Sequence, residues 1–444
     1  MTTTTLVSPH SADATIDADE RLYRKISWRI LPLLILAYIV SYLDRVNIGY
    51  AQLQMKDALG FSTAAFGIGA GIMFLGYCLF EVPSNMLLER IGARKTFLRI
   101  MVLWGLTASA TMFVTTPLQF YVVRFMLGVF EAGFFPGVIL YMTYWYPPAR
   151  RGRMVAIFSS APVVAGIIAG PLSGATLKFM DHAAGLAGWQ WVYLTQGLPA
   201  VILGIVIYLT LTDRPTPGGW LSAEECERIQ RNLGSGGAAN VHSSGAQFLM
   251  VLRMPKVWAL ALVSFLTIGA QYTMVFWIPT LIKSWGVSDP FHIGLYSALP
   301  SLLGAIAMIF VGRSSDRWLE RRWHFAACCA VTVIGLFATT LTLGQLMPSM
   351  IAMCVMAMGM AAVTPVLTTA EADFLPKEVA APGIAFITSC GILGAAASPA
   401  VTGILNARTG SPVYSLYLVI GLFIVAPALL LLILPAKGAS RAAA

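Results

Sequence analysis

Charge is what this sequence has least of. Asp, Glu, Lys and Arg make up 11% of its 444 residues, against about 25% in a soluble domain. Its hydrophobic share of 57% and mean hydropathy of +0.75 extend over the whole length, more than one soluble core can hide. A soluble protein is thereby excluded and an integral membrane protein predicted. Histidine is scarce too: His10, His182, His242, His292 and His324 fall in tails, loops or span edges, so neither a histidine proton relay nor a metal site is supported. Cys78, Cys226, Cys328, Cys329, Cys354 and Cys390 are scattered without metal-ligand spacing and imply no disulfide framework; they read as small buried hydrophobes. GxxxxGK[ST], HExxH and GxSxG are all missing, so nucleotide-driven transport and a membrane-embedded enzyme lack their motifs, and no cofactor is expected. No signal-peptide pattern opens the chain, whose polar residues 1–20 read as disordered.

What is present is a series of apolar runs of spanning length, about 20 residues each. Twelve are predicted, at 27–48, 63–84, 97–115, 118–146, 154–177, 191–211, 256–283, 291–312, 325–346, 349–374, 383–406 and 412–434. With both termini placed in the cytoplasm, 23 of the 29 Lys and Arg fall on the cytoplasmic side and four (Lys56, Lys178, Lys283, Arg408) on the other, with Arg45 and Arg124 inside spans. That asymmetry is a positive-inside signal. It accounts for the net charge of +9 as topology, with no nucleic-acid partner needed. The expected setting is a multi-pass protein of the plasma membrane, the inner membrane in a bacterium, acting as a monomer in the lipid bilayer.

The chain divides into a cytoplasmic tail (1–26), a six-helix half (27–211), a cytoplasmic linker (212–255), a second six-helix half (256–434) and a tail (435–444). In the linker, "SAEECERIQRN" reads as a short helix with a Ser222/Glu225 capping box, and "GSGGAANVHSSGA" as a flexible tether. A repeat supports the division. "ERIGARK" (89–95) after the second run and "DRWLERR" (316–322) after the eighth align Glu89 with Asp316, Arg90 with Arg317, Arg94 with Arg321 and Lys95 with Arg322. Duplicated halves around a midplane site are a recurring transporter plan.

The 6+6 plan with the Glu89–Arg90–x–Gly92–x–Arg94–Lys95 loop resembles the major facilitator superfamily. "YLDRVNIGYA", "FEVPSNMLLERIGARK", "RFMLGVFEAGFFPG", "GWQWVYLTQGLPAVILG", "RPTPGGWLSAEE" and "FWIPTLIKSWG" are similar to its anion:cation symporter branch, which includes tartrate, phthalate and hydroxyphenylacetate permeases. The resemblance covers about 20–435 and implies the major facilitator fold, an all-α polytopic membrane protein. It also implies uptake of a small organic anion with H+. Departures are Glu89 where Asp is common, Asn85 for Gly, Thr388 and Ile392 where Asn is frequent, and Leu367 for Trp.

Charges inside spans default to function, because each costs about 2.5–3.5 kcal/mol at the bilayer centre. Asp44 and Arg45 stand in the first span, and Arg124 and Glu131 in the fourth, seven residues apart on one face. With both acids ionised the four charges cancel; if Asp44 and Glu131 take up protons, the site favours a carboxylate that Arg45 can grip as a bidentate pair. The resemblance likewise assigns proton coupling to Asp44 and Glu131 and anion binding to Arg45. Permanent salt bridges that lock helices are the alternative, most of all for Arg124. Asn47, Tyr77 and Trp277 are further candidates for the substrate pocket, with helix packing as their alternative. Tyr144, Trp145 and Tyr146 read as interfacial anchors. Glu81 reads as a gate or structural salt bridge, Glu371 and Asp373, beside Lys377, as snorkelling or gate acids. Glu89, Arg90, Gly92, Arg94, Lys95, Asp316, Arg317 and Arg321 form the candidate cytoplasmic gate, whose bridges break as the halves rock.

Together these features point to a secondary transporter that takes up a small organic carboxylate, tartrate-like or aromatic, with protons by alternating access. Na+ coupling is the alternative within the class. A non-transporting sensor and a membrane-embedded enzyme are the alternatives outside it.

Overall fold

The computed structural model describes residues 9–234, 245–376 and 379–433. Among the described residues, twelve helices are long and apolar enough to cross a membrane: Asp17–Leu59, Thr63–Ile91, Ala93–Phe113, Pro117–Thr143, Pro148–Phe179, Gly188–Thr210, Pro255–Ser284, Pro290–Trp318, Arg322–Leu341, Leu346–Phe374, Pro382–Thr409 and Val413–Ile433. They are called spans one to twelve. The tether expected at 234–246 falls largely on 235–244, outside the described residues, as do Lys377 and the tail 435–444.

The first helix is far longer than a bilayer requires. It starts at Pro9, so the described part of the segment expected to be disordered is helical instead. Its polar root is held by the linker helix Ala223–Gly234. Lys25 pairs with Glu225 at 2.8 Å and Asp19 with Arg228 at 3.7 Å. The capping box forms reciprocally, Ser222 N–H to Glu225 Oε2 at 2.8 Å and Glu225 N–H to Ser222 Oγ at 3.1 Å. Trp145 and Tyr146 are fully buried, which corrects their reading as interfacial anchors. The linker folds back over the end of span four, and Trp220 stacks on Trp145 with ring centroids 5.6 Å apart.

Spans four and five are broken near mid-depth. Span four is helical over Pro117–Glu131 and again over Phe134–Thr143, with Gly133 at φ +87° between them. A side chain at Gly133 would meet both that left-handed backbone and Ser84 Oγ, 2.6 Å from an ideal Cβ. Span five breaks between Phe158 and Ala161.

Among the described residues the halves meet chiefly along two seams, span two on span eleven and span five on span eight, and span one also touches span seven. Small residues let these backbones touch. A Cβ on Gly294 would stand 2.1 Å from the Gly170 carbonyl oxygen, and one on Gly71 2.0 Å from that of Ala396. The polar bonds between the halves cluster at the same end, opposite the termini. Lys178 pairs with Asp289, Lys283 Nζ donates to the Leu53 carbonyl at 3.0 Å, and Gln52 Nε2 donates to that of Phe276 at 2.8 Å. The seam is closed there. The Lys178 hydrogen bond holds the Asp289 carboxyl below the usual carboxylate range, with the Phe291 N–H adding to it. A depressed acid contributes fully above its unfolded value, about 3.9, and its contribution is lost as pH falls through the lower folded value.

Gly294→Leu is expected to open this seam, since overpacking a close contact costs about 1–3 kcal/mol. In a cysteine-free background, a cysteine at Ser297 should then label several-fold faster from the face opposite the termini. Unchanged labelling would mean the contact does not hold the seam.

Candidate functional site

Asp44 and Arg45 are adjacent in sequence but diverge by about 100° around the helix. Arg45 turns to span four, where its Nε donates to Glu131 Oε1 at 2.8 Å. Glu131 also accepts from the Ser41 hydroxyl. The Arg45 guanidinium stacks over the Tyr77 ring, 5.0 Å from its centroid. Asp44 turns instead to span three and accepts from Trp104 Nε1 at 2.5 Å and Asn47 Nδ2 at 3.3 Å. Arg124 donates through Nε to the Gly69 carbonyl at 3.2 Å. It lies within electrostatic range of Asp44 and Glu131. The pairing therefore runs between spans: Glu131 bonds Arg45 and not Arg124 on its own span.

Asp44, Glu131 and Arg124 are completely buried, whereas Arg45 keeps 9% exposure. Several polar atoms of the cluster lack a hydrogen-bond partner among the described residues: Glu131 Oε2, Arg45 Nη2, Asn47 Oδ1 and both terminal nitrogens of Arg124. Such orphans are costly in a purely structural network. The break in span four begins directly after Glu131, which is how a discontinuous membrane helix commonly serves an ion or substrate site.

Beside this cluster, midway along the spans, lies a cavity of about 390 Å³ bounded by spans one, five, seven, eight, ten and eleven. Tyr42, Gly166 and Tyr272 are among its walls, and Tyr272 sits within electrostatic reach of Arg45. Gln271, also in the wall, accepts at Oε1 from Thr364 Oγ1 at 2.9 Å and donates from Nε2 to the Met360 carbonyl at 3.1 Å. Trp277 does not line this cavity. Five residues beyond Tyr272 turns it about 140° around span seven, into a separate cavity of about 180 Å³ shared with spans eleven and twelve. Asn47 and Tyr77 contact the charged cluster itself and not the cavity wall. Trp104, Ser41, Tyr272 and Gln271 were not picked out in sequence, because a lone Trp, Ser, Tyr or Gln in a span carries no distinguishing pattern.

A model of the Major Facilitator Superfamily matches residues 34–391. The chain belongs to the Major Facilitator Superfamily. It is 40% identical to the "Putative metabolite transport protein NicT" of Pseudomonas putida, over 95% of this chain and 96% of that one. It is 42% identical to a "Putative tartrate transporter" of Agrobacterium vitis, over 92% and 94%. Among solved structures, a bacterial homologue of the human lysosomal transporter Spinster has a TM-score of 0.77 at 17% identity, covering 91% of this chain and 96% of that one. The protein is thus a membrane transporter and not an enzyme.

In this superfamily transporter the repeated loops tie helix ends together within each half. Arg94 donates its backbone N–H to Asp213 Oδ1 at 2.8 Å and its guanidinium to the Tyr208 carbonyl at 2.6 and 3.0 Å, joining spans three and six. Gly92 has φ +89°, and a Cβ there would press on the Asp213 carboxylate at 2.9 Å, so the position requires glycine. Asp213 is a part of this loop that sequence reading missed; its position directly after span six was the available clue. In the second half Arg321 bonds Asp316 at 2.8 Å and Asp373 at 3.5 Å. Glu89, Arg90, Lys95 and Arg317 are exposed and form no ion pair among the described residues. Glu371 is buried where snorkelling was expected. Glu81 has no salt bridge among the described residues, its backbone carbonyl instead accepting from Asn85 Nδ2 at 2.9 Å.

Glu131→Ala is expected to cost about 3–5 kcal/mol, because it strands the Arg45 charge. The double variant Glu131→Leu/Arg45→Met should recover most of that loss, as read by thermal unfolding in detergent. A double variant no better than the single one would contradict the pairing.

Proposed function

We propose that this transporter takes up a small organic carboxylate together with protons, by alternating access around the mid-span cavity. The observation that carries this reading is the Arg45–Glu131 pair, next to the cavity through Tyr272, a wall residue within electrostatic reach of Arg45. Its carboxylate retains an unpartnered oxygen, and its guanidinium retains an unpartnered nitrogen and some exposure. While Glu131 is ionised, Arg45 is neutralised. A proton on Glu131 Oε2 removes that competition, and the guanidinium then accepts a substrate carboxylate in a two-point, charge-assisted bond. Asp44 supplies a second proton position. Protonating it leaves the neighbouring Arg124 uncompensated and makes the cluster more positive when the anion arrives. On release the acids ionise again and Glu131 recaptures Arg45.

The name of the Agrobacterium vitis relative supports an organic anion, as does a cation at the site that its own acid can neutralise. The seam closed opposite the termini supports rocking of two halves, with Arg94 and Arg321 keeping the ends of each half together. The Lys and Arg asymmetry supports cytoplasmic termini in the plasma membrane, the resemblance to organic-anion permeases supports uptake, and one chain holds a complete cavity, as a monomer requires.

In proteoliposomes, an inward proton gradient is expected to drive accumulation of an organic acid by the wild type. Asp44→Asn and Glu131→Gln should abolish gradient-driven accumulation while leaving anion exchange measurable. Accumulation driven by a Na+ gradient and indifferent to pH would overturn proton coupling.

A further inference from the structure

We infer that the mid-span cavity selects a monocarboxylate with a flat, apolar, ring-sized body over a dicarboxylate. This rests on the reading that Arg45 holds a carboxylate and goes on to say what the rest of the ligand must be.

The first observation concerns charge. The cluster contains two guanidinium groups, but only Arg45 retains exposure, and Arg124 is sealed inside the first half. No residue lining the cavity is charged. The described bases of the second half, such as Lys256, Lys283 and Arg313, stand at the ends of its spans. A second carboxylate bound to the same ligand would enter this space without a counter-ion and lose its hydration, a penalty an uncharged body does not meet.

The second observation concerns hydrogen bonding. Gln271 has its oxygen taken by Thr364 and one amide hydrogen by the Met360 carbonyl. One N–H remains. Ser301, also in the wall, donates to the Ser297 carbonyl at 3.4 Å. With the hydroxyls of Tyr42 and Tyr272, these neutral groups can satisfy a polar substituent on a ring, and none of them supplies the charge that a second carboxylate needs.

The third observation concerns shape. The cavity's 390 Å³ is more than twice the about 150 Å³ that accommodates a benzene ring in an apolar pocket. Tyr42 and Tyr272 offer ring faces for offset stacking. Gly166 leaves a gap between Tyr42 and Ser301: a Cβ built there meets nothing closer than 3.9 Å. A larger residue at that position projects into the space the ring would occupy, without first colliding with backbone.

The test is proton-gradient-driven uptake into proteoliposomes of 4-hydroxybenzoate, terephthalate and tartrate, corrected with empty liposomes. Terephthalate keeps the ring and adds one carboxylate, so it separates charge from shape. The wild type is expected to accumulate 4-hydroxybenzoate at least tenfold over either dicarboxylate. Gly166→Leu should lose most of that uptake, and Gln271→Lys, which adds a cation to the cavity wall, should shift the ratio towards terephthalate by about tenfold. Thermal unfolding of both variants checks that each is folded. Tartrate or terephthalate accumulating as fast as 4-hydroxybenzoate in the wild type would overturn this inference and leave proton-coupled carboxylate uptake standing. If the gradient drives none of the three acids, both readings fall.

Discussion

A single buried ion pair organises this molecule. Arg45 and Glu131 sit at the depth where an uncompensated charge is least tolerable, and each makes the other's presence possible. Yet the pair is incompletely satisfied: one oxygen of Glu131 and one terminal nitrogen of Arg45 have no partner among the described residues. A wholly structural bridge would be expected to fill those valences, because a half-satisfied polar network in a low dielectric is worse than an apolar one. In the function proposed above, the orphaned atoms are the places held for a proton and for a ligand oxygen.

The surrounding scaffold is arranged to deliver that pair and to move around it. Span four stops being helical at Glu131, and Gly133 takes the backbone conformation that lets it restart. Spans two, five, eight and eleven carry glycines where their backbones meet, so the halves close at one end by direct backbone contact. Contacts of this kind have little side-chain interdigitation to undo, and they are reinforced by only a few exposed polar bonds, such as Lys178–Asp289. The loops containing Arg94 and Arg321 have the opposite task. They bind helix ends within a half, as the proposed rocking of two bodies requires.

Much of this was legible in the sequence because membrane physics writes large signals. Length and hydropathy gave the spans, Lys and Arg gave a sidedness, and acids and bases inside apolar runs marked Asp44, Arg45, Arg124 and Glu131 before any geometry. The partners of those charges were not legible. Seven-residue spacing placed Arg124 and Glu131 on one face of span four, but the cross-span bond of Glu131 to Arg45 depends on how spans one and four are rotated, which hydropathy does not encode. Trp277 was placed in the pocket for being aromatic and mid-span, and a turn of about 140° from Tyr272 moves it elsewhere. Trp145 illustrates the same limit: an aromatic at a span end looks interfacial until the linker's Trp220 covers it.

The central claim is that Glu131 exchanges Arg45 for a proton when an anion binds. Its most direct test is the proton count on binding, measured as the pH change when saturating 4-hydroxybenzoate is added to purified protein in weakly buffered detergent near neutral pH. If the acid does not bind under these conditions, the same titration is run with an organic anion the protein does bind. The account expects net uptake of protons by the wild type, markedly reduced in Glu131→Gln. Binding of the anion with no proton uptake across pH 5.5 to 8.5 would contradict it.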